Sequence, residues 1–141
     1  MLSNRTKYAL KALLAVYRDK TAKPVHIYDI AKNESIPQKF LELIMLDLKK
    51  TGVLDSKRGK GGGYFLTEDA ATIKIGSIIR KFEGPLALLP CASVTNYKRC
   101  KDCKDEIACS VRALMGEVRE KTAQILDQTS LAEFALKKNK R

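Results

Sequence analysis

The sequence of 141 residues lacks features that several classes of protein require. No apolar run approaches the roughly 18 residues of a membrane-spanning helix, and the start, MLSNRTKYALKALLAVYRDK, lacks the basic, apolar and small-residue order of a secretory signal. The one histidine, His26, lies outside any motif with a candidate nucleophile, so we expect it to have a surface or helix-cap role. These absences predict a cytoplasmic protein that is not an enzyme and has no membrane partner.

Cysteine is absent from most of the chain, because all four cysteines lie between residues 91 and 109. In a reducing compartment, clustered thiols serve as metal ligands or redox groups more often than as structural disulfides. Thiolates hold iron–sulfur clusters, and four of them also suit tetrahedral zinc. The spacing C-x8-C-x2-C-x5-C does not separate these two centres, and metal-free redox thiols or inert cysteines are further alternatives.

Acidic residues are scarce, with 16 Asp and Glu against 27 Lys and Arg and a formal charge of +11. Such an excess suits a polyanionic partner, either nucleic acid or an acidic membrane face. Part of it lies in the tail KKNKR, which we expect to be a solvated end. The length and the 45% hydrophobic content predict one globular domain with one real core.

The apolar periodicity predicts three helices followed by a hairpin. An amphipathic helix covers residues 4–18, a short helix follows with Ile27, Ile30 and Ala31 facing inward, and a third helix begins near Pro37 and ends before Gly52. The third helix has one apolar stripe, formed by Leu41, Ile44, Met45 and Leu48. Residues 53–66 form two strands around a glycine-rich basic turn. This order is typical of a winged helix-turn-helix domain, whose third helix enters the major groove.

Candidate DNA-binding residues follow from that arrangement. Side chains in the first turns of the third helix can reach phosphates or base edges, and basic side chains at the hairpin tip can reach a neighbouring groove. The helix set consists of Gln38, Lys39 and Glu42, and the hairpin set consists of Lys57, Arg58 and Lys60. The alternative interpretation of the GKGGG motif is a flexible turn that has no binding partner. A phosphate-binding P-loop is excluded, because the strand-like YFL follows instead of a Lys-Ser/Thr pair that opens a helix.

The last third of the chain predicts a loop and a long helix. A helix at about residues 75–83 ends at Gly84 and Pro85, and residues 85–106 show weak periodicity. Farther along the chain, six residues recur at alternating intervals of 3 and 4 positions and form a seam. This spacing predicts a helix that packs lengthwise on another helix. The alternative is that the helix packs on its own domain. The seam consists of Ala108, Val111, Met115, Val118, Thr122 and Ile125. A short last helix begins at SLAE with a capping-box pattern.

The stretch LKKTGVLDSKRGKGGGYFL, with YALKALLAVY and the cysteine loop, resembles the IscR- and NsrR-type regulators of the Rrf2 family over about residues 1–135. The resemblance implies a homodimeric transcription regulator that binds a two-fold-symmetric operator in double-stranded DNA. It also implies that Lys39 and Glu42 face bases and that Arg58 enters the minor groove. The family resemblance also leaves an alternative function open. In it, the chain is a cluster-free regulator of cysteine metabolism that acts with a partner enzyme.

The cysteines depart from the pattern of cluster-binding members, which usually have C-x5-C-x5-C before the dimerisation helix. Cys103 and Cys109 keep the last interval, whereas Lys7 and Arg112 occupy positions where other members have an acidic or histidine ligand. We therefore expect a 2Fe-2S or 4Fe-4S cluster, with zinc as the alternative, held by four thiolates of one chain: Cys91, Cys100, Cys103 and Cys109. Nearby lysines and a helix N-terminus at Cys109 should lower the thiol pKa values.

The sequence thus predicts a mainly α fold with a small β-hairpin, divided into four segments. Residues 1–84 form the winged helix-turn-helix domain, and residues 85–106 form the cysteine-containing loop. Residues 107–135 form the dimerisation helix and a short last helix, and residues 136–141 form a basic tail. The predicted function is DNA-binding regulation that senses iron–sulfur status, nitric oxide or redox stress.

Overall fold

The structure is a computed structural model that describes residues 2–139. It is mainly helical with one two-stranded antiparallel hairpin, which confirms the predicted fold class. The elements are α1 (Asn4–Arg18), α2 (Ile27–Glu34), α3 (Gln38–Lys50), β1 (Leu54–Lys57), β2 (Gly63–Leu66), α4 (Ile75–Glu83), a 3₁₀ turn (Pro90–Ala92), α5 (Ser110–Gln128) and α6 (Leu131–Leu136). The predicted basic tail falls partly on residues 140 and 141, which lie outside the described residues.

The core forms where α1 packs against α2, α3, α4 and α6. The predicted stripe of α3 supplies four of its side chains, each with no exposed surface: Leu41, Ile44, Met45 and Leu48. Burying each of these side chains stabilises the fold by about 1.5–3 kcal/mol. Ile30 and Ala31 of α2 are buried as predicted, while Ile27 is half-buried against the same core. One continuous core therefore fixes how α3 is presented to solvent.

A tight turn of three residues joins α2 to α3. Ser35 adopts the left-handed conformation with φ 54°, and its N–H donates to the carbonyls of Ala31 and Lys32. Ile36 is buried, and Pro37 occupies the position just before the first residue of α3. This geometry is a helix-turn-helix, in which the second helix has one face free.

The hairpin is fastened on two sides. Lys49, at the end of α3, donates to Ser56 Oγ at 2.8 Å and lies 3.2 Å from Asp55 Oδ1. On the other side, Val25 and Tyr64 exchange two backbone hydrogen bonds of 2.8 Å. A side chain at Gly63 would come within 2.4 Å of the Val25 carbonyl oxygen, so this close pairing requires glycine there.

After α5 the chain returns to the core. Ser130 and Glu133 form the predicted capping box at the start of α6, and Leu131 has no exposed surface. The Leu131 N–H donates to the Ile73 carbonyl at 2.8 Å, and the Ile75 N–H donates to the Thr129 carbonyl at 3.0 Å. Within residues 2–139, no helix has the length and apolar character needed to cross a membrane.

Candidate cysteine centre and nucleic-acid surface

All four cysteines line one cavity of about 480 Å³ between the loop and the start of α5. Cys91 lies in the 3₁₀ turn with 5% of its surface exposed, and Cys109 is the N-cap of α5. Cys100 is exposed, Cys103 is half-buried, and the Cys103 N–H donates to the Cys100 carbonyl at 3.2 Å. The structure thus places all four cysteines that the sequence singled out along one cavity, and their role as ligands stays a prediction.

Two arginines of α5 hold the beginning of this loop. Arg112 Nε donates to the Cys91 carbonyl at 3.0 Å, and a terminal nitrogen of Arg112 donates to the Glu106 carbonyl at 3.4 Å. Arg119 donates to the Ala92 carbonyl at 2.8 Å. From the sequence, Arg112 was notable only because it stands where other family members have a histidine, and Arg119 was not predicted to have a role. The two arginines lie two turns apart on one helix face, and this spacing could have indicated a shared contact.

Cys109 occupies the N-terminus of α5, as the sequence predicted. Its Sγ accepts a hydrogen bond from the Arg112 backbone N–H at 3.4 Å. This contact satisfies one of the N–H groups that the first turn of a helix leaves without a partner in the helix. Its role as a metal ligand stays a prediction.

Cys100 behaves differently from the expectation that nearby cations lower the thiol pKa values. The adjacent Cys91 thiol raises the pKa of Cys100 above its usual value, and desolvation and the charges of Asp102 and Cys103 act in the same direction. The expectation is wrong for this thiol because other sulfur and carboxylate groups lie close to it. Without a bound metal, Cys100 therefore favours the protonated form.

The lining of this cavity does not decide between zinc and an iron–sulfur cluster. Four thiolates could hold either group, but no three Cys, His, Asp or Glu side chains among the described residues are arranged to hold one metal ion. His26 does not line this cavity; its Nδ1 accepts from the Tyr28 N–H at 3.2 Å, which confirms the predicted cap role.

The predicted DNA-binding residues are all exposed. Gln38, Lys39 and Glu42 lie in the first turns of α3, where Gln38 Nε2 is 3.4 Å from Glu42 Oε1. At the hairpin, Gly59 and Gly61 adopt φ values of 89° and 77°, which glycine adopts without strain. The basic residues that surround this tip are Lys57, Arg58 and Lys60. Their contact with DNA stays a prediction.

Helix α5 exposes an apolar seam. No residue of α5 is buried, and Val111, Leu114, Val118 and Ile125 have 60%, 56%, 36% and 61% of their surface exposed. Three of the four belong to the seam predicted from the sequence, and Leu114 extends it. In the described part of the chain, these side chains remain largely uncovered, whereas Met115 and Thr122 of the predicted seam are half-buried. Packing of the seam on a partner helix stays a prediction.

Comparison with known sequences places these features among transcription regulators. The sequence model of the Rrf2 family, described as an iron-dependent transcriptional regulator, matches residues 2–137. An rrf2-like HTH-type transcriptional regulator of Rhodobacter capsulatus is 39% identical over 137 residues, which cover 95% of this chain and 91% of that protein. The HTH-type transcriptional regulator IscR of Escherichia coli is 29% identical over 133 residues, covering 94% of this chain and 78% of IscR.

Solved structures give the same result for the fold. CymR, the global cysteine regulator of B. subtilis, is similar with a TM-score of 0.81 and 26% identity, over 99% of this chain and 98% of CymR. IscR of T. potens has the same fold, with a TM-score of 0.74 and 23% identity over 99% of this chain and 93% of IscR. The winged-helix resemblance predicted from the sequence is therefore confirmed.

Proposed function

Because this chain belongs to the Rrf2 family of transcriptional regulators, we propose that it binds operator DNA as a homodimer under the control of an iron–sulfur cluster. The observation that carries the proposal is the single cavity lined by Cys91, Cys100, Cys103 and Cys109. It lies between the loop and the start of α5, the helix that also carries the exposed apolar seam. A bound cluster would supply a group that reacts with oxidants and nitric oxide.

The chain's own contacts provide a route from the cysteines to the DNA-binding domain. Arg112 and Arg119 hold the Cys91 segment on the N-terminal half of α5. Near the other end of the same helix, Asp127 accepts two hydrogen bonds from Arg80 of α4, at 2.5 and 2.9 Å. A change in how the loop sits on α5 would therefore alter the packing of α5 relative to α4 and the winged domain.

The size of such control is limited by thermodynamics. DNA affinity changes only by the difference in how well the cluster-bound and cluster-free forms fit the operator. Couplings of this type amount to about 1–3 kcal/mol, or about 5- to 150-fold in affinity. The proposed sensing of iron–sulfur status, nitric oxide or redox stress operates within this range.

The cluster proposal is tested by anaerobic purification, followed by iron and sulfide assays and visible absorption. We expect brown protein with iron and labile sulfide, and a Cys103→Ser variant that has lost most of both. A duplex selected from a random pool by the holo-protein then serves as the probe for binding. Equal affinity and an equal footprint for the holo-protein and the Cys103→Ser variant would show that no switch exists.

The DNA-binding proposal is tested at the hairpin tip. Arg58→Ala should weaken binding to the selected duplex and reduce the slope of log K against log salt by about two units for the dimer, because one fewer phosphate is neutralised in each half-site. Lys138→Ala, which removes an exposed charge after α6, is the matched control and should leave the slope unchanged. An unchanged slope for Arg58→Ala would show that Arg58 does not contact a phosphate.

The likeness to CymR, a cysteine regulator, favours a second candidate function. In this alternative the chain binds no cluster and regulates cysteine metabolism together with a partner enzyme. Metal analysis separates the candidates: iron with sulfide supports the first, and metal-free protein that co-purifies with an enzyme supports the second. Colourless protein that contains zinc would instead indicate a zinc-stabilised DNA-binding protein.

A further inference from the structure

Two leucines of α3 are exposed although the other leucines of this helix are buried. Leu43 and Leu46 have 61% and 49% of their surface exposed, while Leu41 and Leu48 have none. Isolated apolar residues on a surface need no explanation. These two, however, lie one turn apart on the free helix of a helix-turn-helix, the element that docks in the major groove.

Helix geometry places the two leucines at the centre of the free face. At about 100° per residue, Leu43, Leu46, Lys39 and Lys50 all project within about 30° of the direction opposite the buried stripe. Their positions follow the spacing i, i+4, i+7 and i+11, so they form one row along the helix. The row therefore has a lysine at each end and two leucines in the middle.

The flanks of this row are already occupied by contacts within the chain. On one flank, Gln38 Nε2 lies 3.4 Å from Glu42 Oε1. On the other flank, Asp47 pairs with Arg5 and lies 3.6 Å from Lys50 Nζ. The two leucines between these flanks are exposed and can contact a partner that binds to the free face.

We infer that Leu43 and Leu46 contact the C5 methyl groups of thymines in the major groove and so set part of the sequence preference. The inference rests on the proposed DNA binding. Lysines at both ends of the row would meet phosphates, which makes a polyanion a better occupant of this face than an apolar protein surface. Thymine methyls are the apolar groups that the major groove presents. The two leucines lie about 4.5 Å apart along the helix axis, close to the roughly 3.4 Å between neighbouring nucleotides of one strand.

The inference is tested by removing the methyl groups from the DNA. In a duplex selected by the holo-protein, each thymine is replaced in turn by deoxyuridine, which differs only in lacking the C5 methyl. Burial of one methyl contributes about a four-fold change in affinity, so replacement in both half-sites should weaken binding about 10- to 20-fold. We expect this at one or two positions per half-site and nowhere else.

The leucine variants make the test specific. In Leu43→Ala or Leu46→Ala, the penalty for deoxyuridine should vanish at the position read by that leucine and persist at the other. Alanine is a strong helix former, and far-UV circular dichroism checks that α3 is intact. Leu136→Ala, which removes an exposed leucine from the end of α6, should keep the wild-type penalties.

Four outcomes would overturn the inference or its premise. If deoxyuridine has no effect at any position, or if its penalty survives in both leucine variants, the leucines do not contact thymine methyls although the protein binds DNA. If Leu43→Ala and Leu46→Ala change the oligomeric state and leave the deoxyuridine profile unchanged, the face is an interface between copies of the chain. If the holo-protein selects no duplex, the proposed DNA binding itself is wrong.

Discussion

At the scale of single residues, Arg112 connects both ends of the cysteine segment to α5. Its guanidinium donates to the carbonyls of Cys91 and Glu106 and lies 6.0 Å from the centroid of the Tyr97 ring. Hydrogen bonds from a charged group contribute more than neutral ones, about 1.5–3 kcal/mol each when well made. The Arg112 side chain therefore links the Cys91 end of the segment to the end that precedes Cys109.

We therefore predict that Arg112→Gln loosens the cysteine segment. In metal-free protein, amide hydrogen exchange in residues 91–109 should become faster, because the restraint on the Cys91 carbonyl is lost. In iron-loaded protein, loss of iron to a chelator should be about ten-fold faster, as expected for a destabilisation of about 1.4 kcal/mol. Lys138→Gln removes the same charge elsewhere and should change neither rate. Unchanged exchange in Arg112→Gln would show that the contacts do not order the segment.

Glu83 is a second residue with a defined electrostatic role. At the end of α4, its Oε1 accepts hydrogen bonds from the Ser3 N–H at 2.7 Å and the Ser3 hydroxyl at 2.6 Å, and also from the Thr6 hydroxyl. These bonds favour the carboxylate and lower the pKa of Glu83 from its usual 4.5 to about 2. Glu83 thus ties the start of α1 to the end of α4, immediately before the cysteine loop.

The lowered pKa predicts a pH-dependent effect of Glu83→Gln. The unfolded chain takes up the proton near pH 4.5 and the folded chain only near pH 2, so the stabilisation is complete above pH 4.5 and is lost as pH falls toward 2. Thermal unfolding should show Glu83→Gln below wild type at pH 7, with the difference shrinking between pH 4.5 and 2. Glu117→Gln, an exposed change in α5, should show no such trend. A difference independent of pH would contradict the ionic role.

At the scale of elements, the contact between α4 and α5 depends on a glycine. A side chain at Gly76 would come within 2.0 Å of Asp127 Oδ1, the atom that pairs with Arg80. Gly116 of α5 is different, since a side chain there would meet nothing within 4 Å. A side chain at Gly76 would therefore displace the Asp127 carboxylate, whereas one at Gly116 would displace nothing.

We predict opposite effects of alanine at these two positions. Gly76→Ala should destabilise the fold by up to about 1 kcal/mol, because the Asp127 carboxylate must move aside and lose its exposed pair with Arg80. Gly116→Ala should stabilise it by about 0.5–1 kcal/mol, since alanine costs less conformational entropy in a helix. Chemical denaturation followed by circular dichroism measures both changes. If Gly76→Ala is as stable as wild type, the Arg80–Asp127 pair is not required to hold the helices together.

At the scale of the whole molecule, the exposed seam of α5 is the surface through which we propose that two copies associate. Val118 lies in the middle of the seam, one or two turns from Val111, Leu114 and Ile125. When two such seams pair, each apolar side chain inserts between side chains of the facing helix. The pairing would place two winged domains at a fixed separation, as a two-fold-symmetric operator requires.

Val118→Glu should therefore separate the dimer. A carboxylate buried without a partner costs several kcal/mol, so the dimer dissociation constant should rise at least about 100-fold. Sedimentation velocity over a range of concentrations measures the change, and affinity for the selected duplex should fall with it. Gln124→Glu adds the same charge on another face of α5 and should remain dimeric. A monomeric wild-type protein, or a dimeric Val118→Glu protein, would refute the proposed interface.

The sequence by itself determined the helices, the hairpin and the identity of the candidate ligands. The stripe from Leu41 to Leu48 and the capping box at Ser130 depend on residues within a few positions of each other, and local periodicity and capping chemistry are readable in one dimension. The same is true of the hairpin, because the glycines between the two strands mark the turn directly.

Only the tertiary structure decided how those parts meet. It showed Arg112 and Arg119 bound to carbonyls 21 and 27 positions away, and it placed Asp127 against Gly76. It also returned Leu131 to the core and left Leu43 and Leu46 exposed. Such contacts depend on how several helices pack at once, and many sequences that share one local pattern differ in that packing. The residue types in the cysteine segment therefore indicated the chemistry, whereas the fold determined their arrangement.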